Sequence, residues 1–277
     1  MPHRQDRAIG IFDSGIGGLT VLQAIARTLP AEHLLYLGDT ARVPYGAKSP
    51  ATVTRFSIEV VRYLMRQPLK MLVIACNTAS ACSLGALVET VDPAGGIPVV
   101  GVIGPGAHAA LAATHNGRVG VLGTESTIRQ GAYQRVLQSM APGLQVYGQA
   151  CPLFVPLAEE GWTDNEVSEA TARRYLEPLL PQALDTLILG CTHYPLLKPT
   201  IARVMGEHVT LIDSAEATAR EVQALLSTRG LLRQDREPGR RHFMVTDAPE
   251  RFARVGEKFL GAPLGDVELV TLSETKG

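Results

Sequence analysis

Two stretches of the chain, 115 positions apart (191 − 76 = 115), read almost alike: Leu72-Val73-Ile74-Ala75-Cys76-Asn77-Thr78 and Leu187-Ile188-Leu189-Gly190-Cys191-Thr192-His193. Other pieces recur at nearly the same offset. Gly10-Ile11-Phe12-Asp13-Ser14 aligns with Val121-Leu122-Gly123-Thr124-Glu125 (124 − 13 = 111), and Val99–Ile103 aligns with Thr210–Ser214 at the same 111. Each piece is a short apolar run that ends in small polar residues. An order of elements that occurs twice points to two similar units, not to a solenoid, whose period would be ~20–50 residues. The length of 277 residues suits two units of ordinary size.

Within each unit, apolar runs alternate with stretches of helical period. The strand candidates are Ala8–Phe12, Leu34–Leu37, Met71–Ala75, Val99–Ile103, Val119–Leu122, Gln145–Tyr147, Thr186–Leu189, Val209–Ile212, His242–Val245 and Val267–Leu272. Most are continuously apolar, as parallel strands covered on both faces are. Leu19–Leu29 reads as a helix with Leu19, Leu22, Ile25, Ala26 and Leu29 on one face. Pro249–Leu260 reads as another, opened by Asp247 with Glu250 three positions on, a capping-box pattern. The expected fold is α/β, with two similar doubly wound domains. The repeat places one domain at 1–101 and the second at 102–212. The remainder, 213–277, is too short for a third domain and is expected to return to the first, adding the strand at His242–Val245. The Arg-, Gly- and Asp-containing segment Thr228–Arg241 reads as an exposed loop.

In open parallel sheets, ligands bind beyond the carboxyl ends of strands. The first strand ends in Asp13-Ser14-Gly15-Ile16-Gly17-Gly18. This matches neither the dinucleotide fingerprint G-x-G-x-x-G nor a P-loop. Two later strand ends carry Cys76 and Cys191, each beside hydroxyl or amide donors suited to an amino-acid head group. Each is expected to face a helix N-terminus, which favours a thiolate. Lone cysteines are usually small buried hydrophobes, and Cys82 and Cys151 are read that way. Cys76 and Cys191 differ because they hold equivalent places in two similar domains. If the domains face each other about a pseudo-twofold axis, two thiols approach one ligand from opposite sides. A single base returns a proton to the face it came from, whereas two opposed bases invert a stereocentre. A thiol of pKa ~8.5 costs ~2 kcal/mol to ionise at neutral pH. Inversion in both directions needs one thiolate and one thiol at a time, with roles exchanged in reverse.

Composition removes competing classes. Lys and Arg number 26 against 27 Asp and Glu, so no basic excess points to nucleic acid or an anionic membrane. No apolar run reaches the ~18 residues of a membrane span. The polar N-terminus lacks the apolar core of a signal peptide. The four cysteines are too few for a disulfide scaffold, and none is paired at zinc-site spacing. Cys191 and His193 have no third ligand nearby, so no metal is expected. Pyridoxal phosphate needs a Schiff-base lysine, and none of the five lysines follows a strand end with phosphate-binding glycines. These features lead us to expect a soluble, reduced, cytoplasmic chain of enzyme size that does not use pyridoxal phosphate.

At the strand ends the sequence resembles the glutamate racemases of the cofactor-independent aspartate/glutamate racemase superfamily. The matching stretches are Ile9–Leu22 (IGIFDSGIGGLTVL), Leu37–Gly46 (LGDTARVPYG), Ile74–Ala81 (IACNTASA), Cys151–Gly161 (CPLFVPLAEEG) and Leu189–Leu197 (LGCTHYPLL). They span nearly the whole chain, and the Cys motifs carry no departure. The resemblance implies two α/β domains with the site between them, and racemisation of glutamate by two bases. It implies D-glutamate supply for peptidoglycan synthesis and a homodimer, in more than one arrangement across the family. It assigns Cys76 and Cys191 as the acid/base pair. Asp13, Ser14, Tyr45, Gly46, Asn77, Thr78, Thr192 and His193 would line the substrate. Asp13, His193 and Glu159 would support the thiols, with Glu160 adjacent to Glu159. Asp39 could instead simply cap a turn, and Tyr45 could be a packing residue in a rigid loop.

Other readings stay open at this stage. A racemase for aspartate or another amino acid would share the chemistry and differ in pocket length. A hydrolase using Cys191 and His193 would leave the matched second cysteine unexplained. A non-catalytic amino-acid-binding protein would leave the paired thiols unexplained.

Overall fold

A computed structural model describes residues 3–91, 96–235 and 237–272. In its first half, strands β1 (Ala8–Asp13), β2 (Leu34–Gly38), β3 (Leu69–Ile74) and β4 (Val99–Gly101) alternate with helices α1 (Leu19–Thr28), α2 (Pro50–Leu64) and α3 (Asn77–Val91). Helix α4 (Ile103–Ala113) leads into β5 (Arg118–Gly123), α5 (Glu125–Gln130), α6 (Ala132–Met140) and β6 (Gln145–Ala150). Then come α7 (Phe154–Glu160), α8 (Glu166–Leu176), β7 (Thr186–Gly190), α9 (Lys198–Met205) and β8 (Thr210–Asp213). The last part holds α10 (Ser214–Thr228), β9 (Arg241–Val245), α11 (Pro249–Leu260) and β10 (Val267–Leu269).

Among the described residues the strands form two sheets, ordered β10-β9-β2-β1-β3-β4 and β6-β5-β7-β8, with every pairing parallel. The orders β2-β1-β3-β4 and β6-β5-β7-β8 are the same pattern, so the duplication read from the sequence is a duplication of topology. The segment after β8 returns to the first sheet, where β9 pairs with β2 and β10 with β9. All ten predicted strands are present, with shifted ends. The fourth is shorter than expected because Val102 already has helical backbone and Ile103 opens α4. The tenth stops at Leu269.

Side-chain alternation explains how the layers pack. In β1, Ile9 and Ile11 enter the largest core while Phe12 enters a second one on the opposite face. Each such side chain, fully buried, contributes about 1.5–3 kcal/mol. The largest core runs continuously through both sheets and takes in α1, α10 and α11 together with α7, α8 and α9. Smaller cores lie under α2 and α3 on one sheet and under α4 and α6 on the other. Helix α1 is buried beyond its predicted face, at Thr20, Val21 and Ala24 as well, because α10 packs against it.

Two local expectations are corrected. The capping box at α11 does not form: Ala248, with φ 49°, occupies the cap position, and the Asp247 carboxylate accepts from the Ala248 N–H instead. The predicted loop Thr228–Arg241 begins with the last residue of α10 and ends with the first of β9, and its other described residues lack regular structure, but it is not simply exposed. Leu231 is buried, Arg233 donates to the Ala31 carbonyl, and the Gly239 N–H donates to the Pro30 carbonyl.

Candidate active site

The carboxyl ends of the strands in both sheets open on one cavity of about 280 Å³. Its wall includes Ser14, Tyr45, Gly46, Cys76, Asn77, Thr78, Glu159, Cys191, Thr192 and His193, so every predicted site residue except Asp13 faces it. Ile16, Val43, Pro44, Val155 and Pro156 supply apolar wall. Cys76 follows β3 and Cys191 follows β7, which are equivalent strands of the two sheets.

Cys76 sits at the N-terminus of α3, where its Sγ accepts from the Ala79 N–H at 3.4 Å and lies 3.5 Å from Ser14 Oγ. The predicted lowering of its pKa does not follow. Burial, and next the charge of Asp13, push the thiol up to about 12, against the smaller help of Ser14 and Ala79. Asp13 stands behind the wall: it is fully buried, and its Oδ2 accepts from the Gly15 N–H at 2.8 Å. Burial raises the Asp13 pKa, while the backbone bonds and His193 oppose the rise.

Cys191 does not face the start of an α-helix. A short 3₁₀ turn, Tyr194–Leu197, follows it. The positive group on this side is His193, whose Nδ1 is 4.0 Å from Cys191 Sγ and whose Nε2 is 3.2 Å from Glu159 Oε1. Burial disfavours the imidazolium, yet the hydrogen bonds and charges of Cys191 and Glu159 outweigh it and raise His193 to about 10. Burial likewise opposes ionisation of Glu159, and the bonds from His193 and Arg251 overcome it, holding the carboxyl at about 2. Of the adjacent pair, Glu159 and not Glu160 is therefore the carboxylate behind His193. Glu160 meets Lys258 through its carbonyl.

The remaining polar wall is held from both units. Asn77 Oδ1 accepts from the Tyr133 hydroxyl at 2.7 Å. The Thr78, Thr124 and Thr127 hydroxyls form a triangle with sides of 2.9, 3.2 and 3.0 Å. The Tyr45 hydroxyl donates to Asp39, which also accepts from Arg42 and Thr246. Asp39 is thus the anchor of the Tyr45 loop and no mere turn cap. Sequence reading missed Thr124, Tyr133 and Arg251. Thr124 had a signal, since it directly follows β5 and aligns in the repeat with Asp13, which ends β1. Arg251 had none, lying 92 positions from Glu159. Among the described residues, no group of three or more His, Cys, Asp or Glu is placed to hold a metal ion.

Glycines let the two units approach. A Cβ on Gly17 would lie 2.2 Å from Thr192 Oγ1 and 2.4 Å from His193 Nδ1. Gly17→Ala therefore displaces the Cys191 side of the wall. We expect kcat to fall about 100-fold, the cost of a misplacement near 1 Å, with a stability loss of about 1–3 kcal/mol from overpacking. Gly85→Ala, at a position with open space around it, leaves kcat unchanged in the same assay.

A sequence family described as Asp/Glu/hydantoin racemase matches residues 9–222. The chain is 57% identical over 270 residues to a glutamate racemase of Geobacter metallireducens, covering 98% of each. Its structure is similar to that of a glutamate racemase isoform from Bacillus anthracis, with TM-score 0.92, 42% identity and 97% and 98% of the two chains covered. It is also similar to a glutamate racemase from Francisella tularensis solved with D-glutamate, with TM-score 0.90, 38% identity and coverage of 97% and 99%.

Proposed function

The chain belongs to the Asp/Glu/hydantoin racemase family and is an amino-acid racemase of the glutamate racemase type, and from that premise we propose that it interconverts L- and D-glutamate by proton transfer between two thiols. One observation carries the reading: Cys76 and Cys191, at equivalent strand ends of two sheets with the same order, line one cavity. We further propose that D-glutamate made here feeds peptidoglycan synthesis in the cytoplasm, and that the working unit is a homodimer. The domains are proposed as 1–101 with 213–277, and 102–212. Among the described residues no helix is long and apolar enough to cross a membrane.

In the L-to-D direction, Cys191 as thiolate takes the Cα proton and the Cys76 thiol delivers one to the opposite face. The resting electrostatics favour this start. The raised pKa of Cys76 keeps its proton in place, and an imidazolium at His193 faces Cys191. In the reverse direction Cys76 must first give up its proton, and the Cys191 thiol is the donor. Ser14, Asn77, Thr78 and Thr192 offer donors to the substrate carboxylates, while the Tyr45–Gly46 segment closes the wall. Asp13 acts through Cys76, and Glu159 through His193. Walls from both sheets exclude water from the carbanion-like transition state.

The test is loss of optical activity for a panel of amino acids, using dialysed enzyme in deuterated water. L-Glutamate is expected to racemise with solvent deuterium at Cα and no added pyridoxal phosphate. Aspartate, shorter by one methylene, should be slower by about 10–200-fold. No racemisation of glutamate, or activity only with added pyridoxal phosphate or metal, would sink the reading.

A further inference from the structure

Helix α11 lies outside the matched family region, 9–222, and yet three of its residues close on the pair that stands behind Cys191. Arg251 Nη2 donates to Glu159 Oε2 at 2.8 Å, leaving Glu159 Oε1 for His193. Lys258 Nζ donates to the Glu159 and Glu160 carbonyls at 3.2 and 3.1 Å, at the carboxyl end of α7. Phe259 sets its ring edge-to-face with His193, 5.3 Å between centroids. Positions 251, 258 and 259 are seven and eight apart, so they share one helical face. Helix α11 follows a strand of the six-stranded sheet, whereas Glu159 and His193 belong to the part of the chain that forms the other.

Resting on the racemase reading above, we propose that Arg251 is a positioning residue for the Cys191 half of the reaction. A carboxylate that meets only His193 could rotate about its side-chain torsions. With its second oxygen bound by a guanidinium, it presents Oε1 to Nε2 in one orientation, and charge-assisted bonds of this kind are the stronger ones. That orientation aims Nδ1 at Cys191 Sγ. Cys76 is supported differently among the described residues: its Sγ meets Ser14 Oγ and the Ala79 N–H, and the Asp13 carboxylate behind it accepts from the Gly15 N–H. Arg251 therefore supports one thiol and not the other.

Overall racemisation cannot reveal this asymmetry. Enantiomers have equal free energy in water, so kcat/KM is equal in the two directions for every variant. Irreversible half-reactions can reveal it. With 3-chloroglutamate, a thiolate takes the Cα proton, the freed electron pair forms the Cα=Cβ bond, and chloride leaves. The enamine then hydrolyses to 2-oxoglutarate and ammonium. The configuration processed by Cys191 is the one whose elimination Cys191→Ala abolishes. For that substrate we expect Arg251→Ala to slow elimination roughly 10-fold, as for the loss of a hydrogen bond to a charged group. Elimination from the other configuration stays within about twofold, which also reports that the fold is intact. Arg251→Lys restores most of the lost rate. Equal slowing of both eliminations, or slowing of neither, overturns the proposal. Absence of glutamate racemisation and of both eliminations in the unaltered enzyme overturns the racemase reading on which it rests.

Discussion

Cys76→Ala and Cys191→Ala each abolish racemisation, lowering kcat by at least about 1,000-fold, because one general acid or base is worth roughly 10²–10⁴ and each turnover uses both. The fold survives either change, since each thiol lies at a strand end against a cavity and its loss leaves little new void. What separates the two variants is the half-reaction each retains. The Cys76 variant still removes the Cα proton from the substrate presented to Cys191, and the Cys191 variant does so from the mirror image. On the mechanism proposed above these are the L and D forms, respectively. Cys82→Ala and Cys151→Ala keep most of the activity, because neither side chain lines the cavity. Full racemase activity in either of the first two variants would end the two-thiol mechanism. Loss of both half-reactions in each would favour a single-site mechanism.

Much of this site is legible in the sequence, and the reason is topological. In a parallel sheet the functional groups gather where the strands end, so an apolar run followed by Cys-Asn-Thr or Cys-Thr-His marks both a strand and a site. The duplicated pattern gave the pairing of Cys76 with Cys191 and the equality of the two sheet orders. What stayed hidden depends on contacts between segments far apart in the chain. The His193–Glu159–Arg251 arrangement joins three segments, and only the first two carry a motif. The pKa of Cys76 also escaped. A helix N-terminus is visible in sequence, but burial beside the Asp13 carboxylate is not, and burial is the larger influence. The α11 cap failed for a local reason: Ala248 takes a left-handed backbone that composition gives no cause to expect.

The largest expected stability effect lies far from the chemistry. Lys70 interrupts the apolar run of β3, and its side chain is 1% exposed against 2% for its ion-pair partner Glu32. Lys70 Nζ also donates to the Gln5 and Leu231 carbonyls at 2.6 and 2.9 Å, and Glu32 Oε1 accepts from the Arg233 N–H at 2.9 Å. This pair therefore holds the N-terminal segment and the 231–233 stretch against the amino ends of β2 and β3, opposite the cavity. Lys70→Ala leaves a buried carboxylate without its cation, and we expect a loss of about 3–5 kcal/mol. Replacing the pair together, as Glu32→Leu with Lys70→Met, removes both charges and their desolvation cost. The double variant should recover most of that loss but not all, because the carbonyls of Gln5 and Leu231 and the N–H of Arg233 lose their partners. Urea denaturation midpoints measure the difference, and kcat of the folded enzyme stays unchanged in both variants. A Lys70→Ala midpoint equal to that of the unaltered protein would show that water reaches and solvates Glu32 once the lysine is gone. A double variant no more stable than Lys70→Ala would place the stabilisation in the three backbone hydrogen bonds and not in the ion pair.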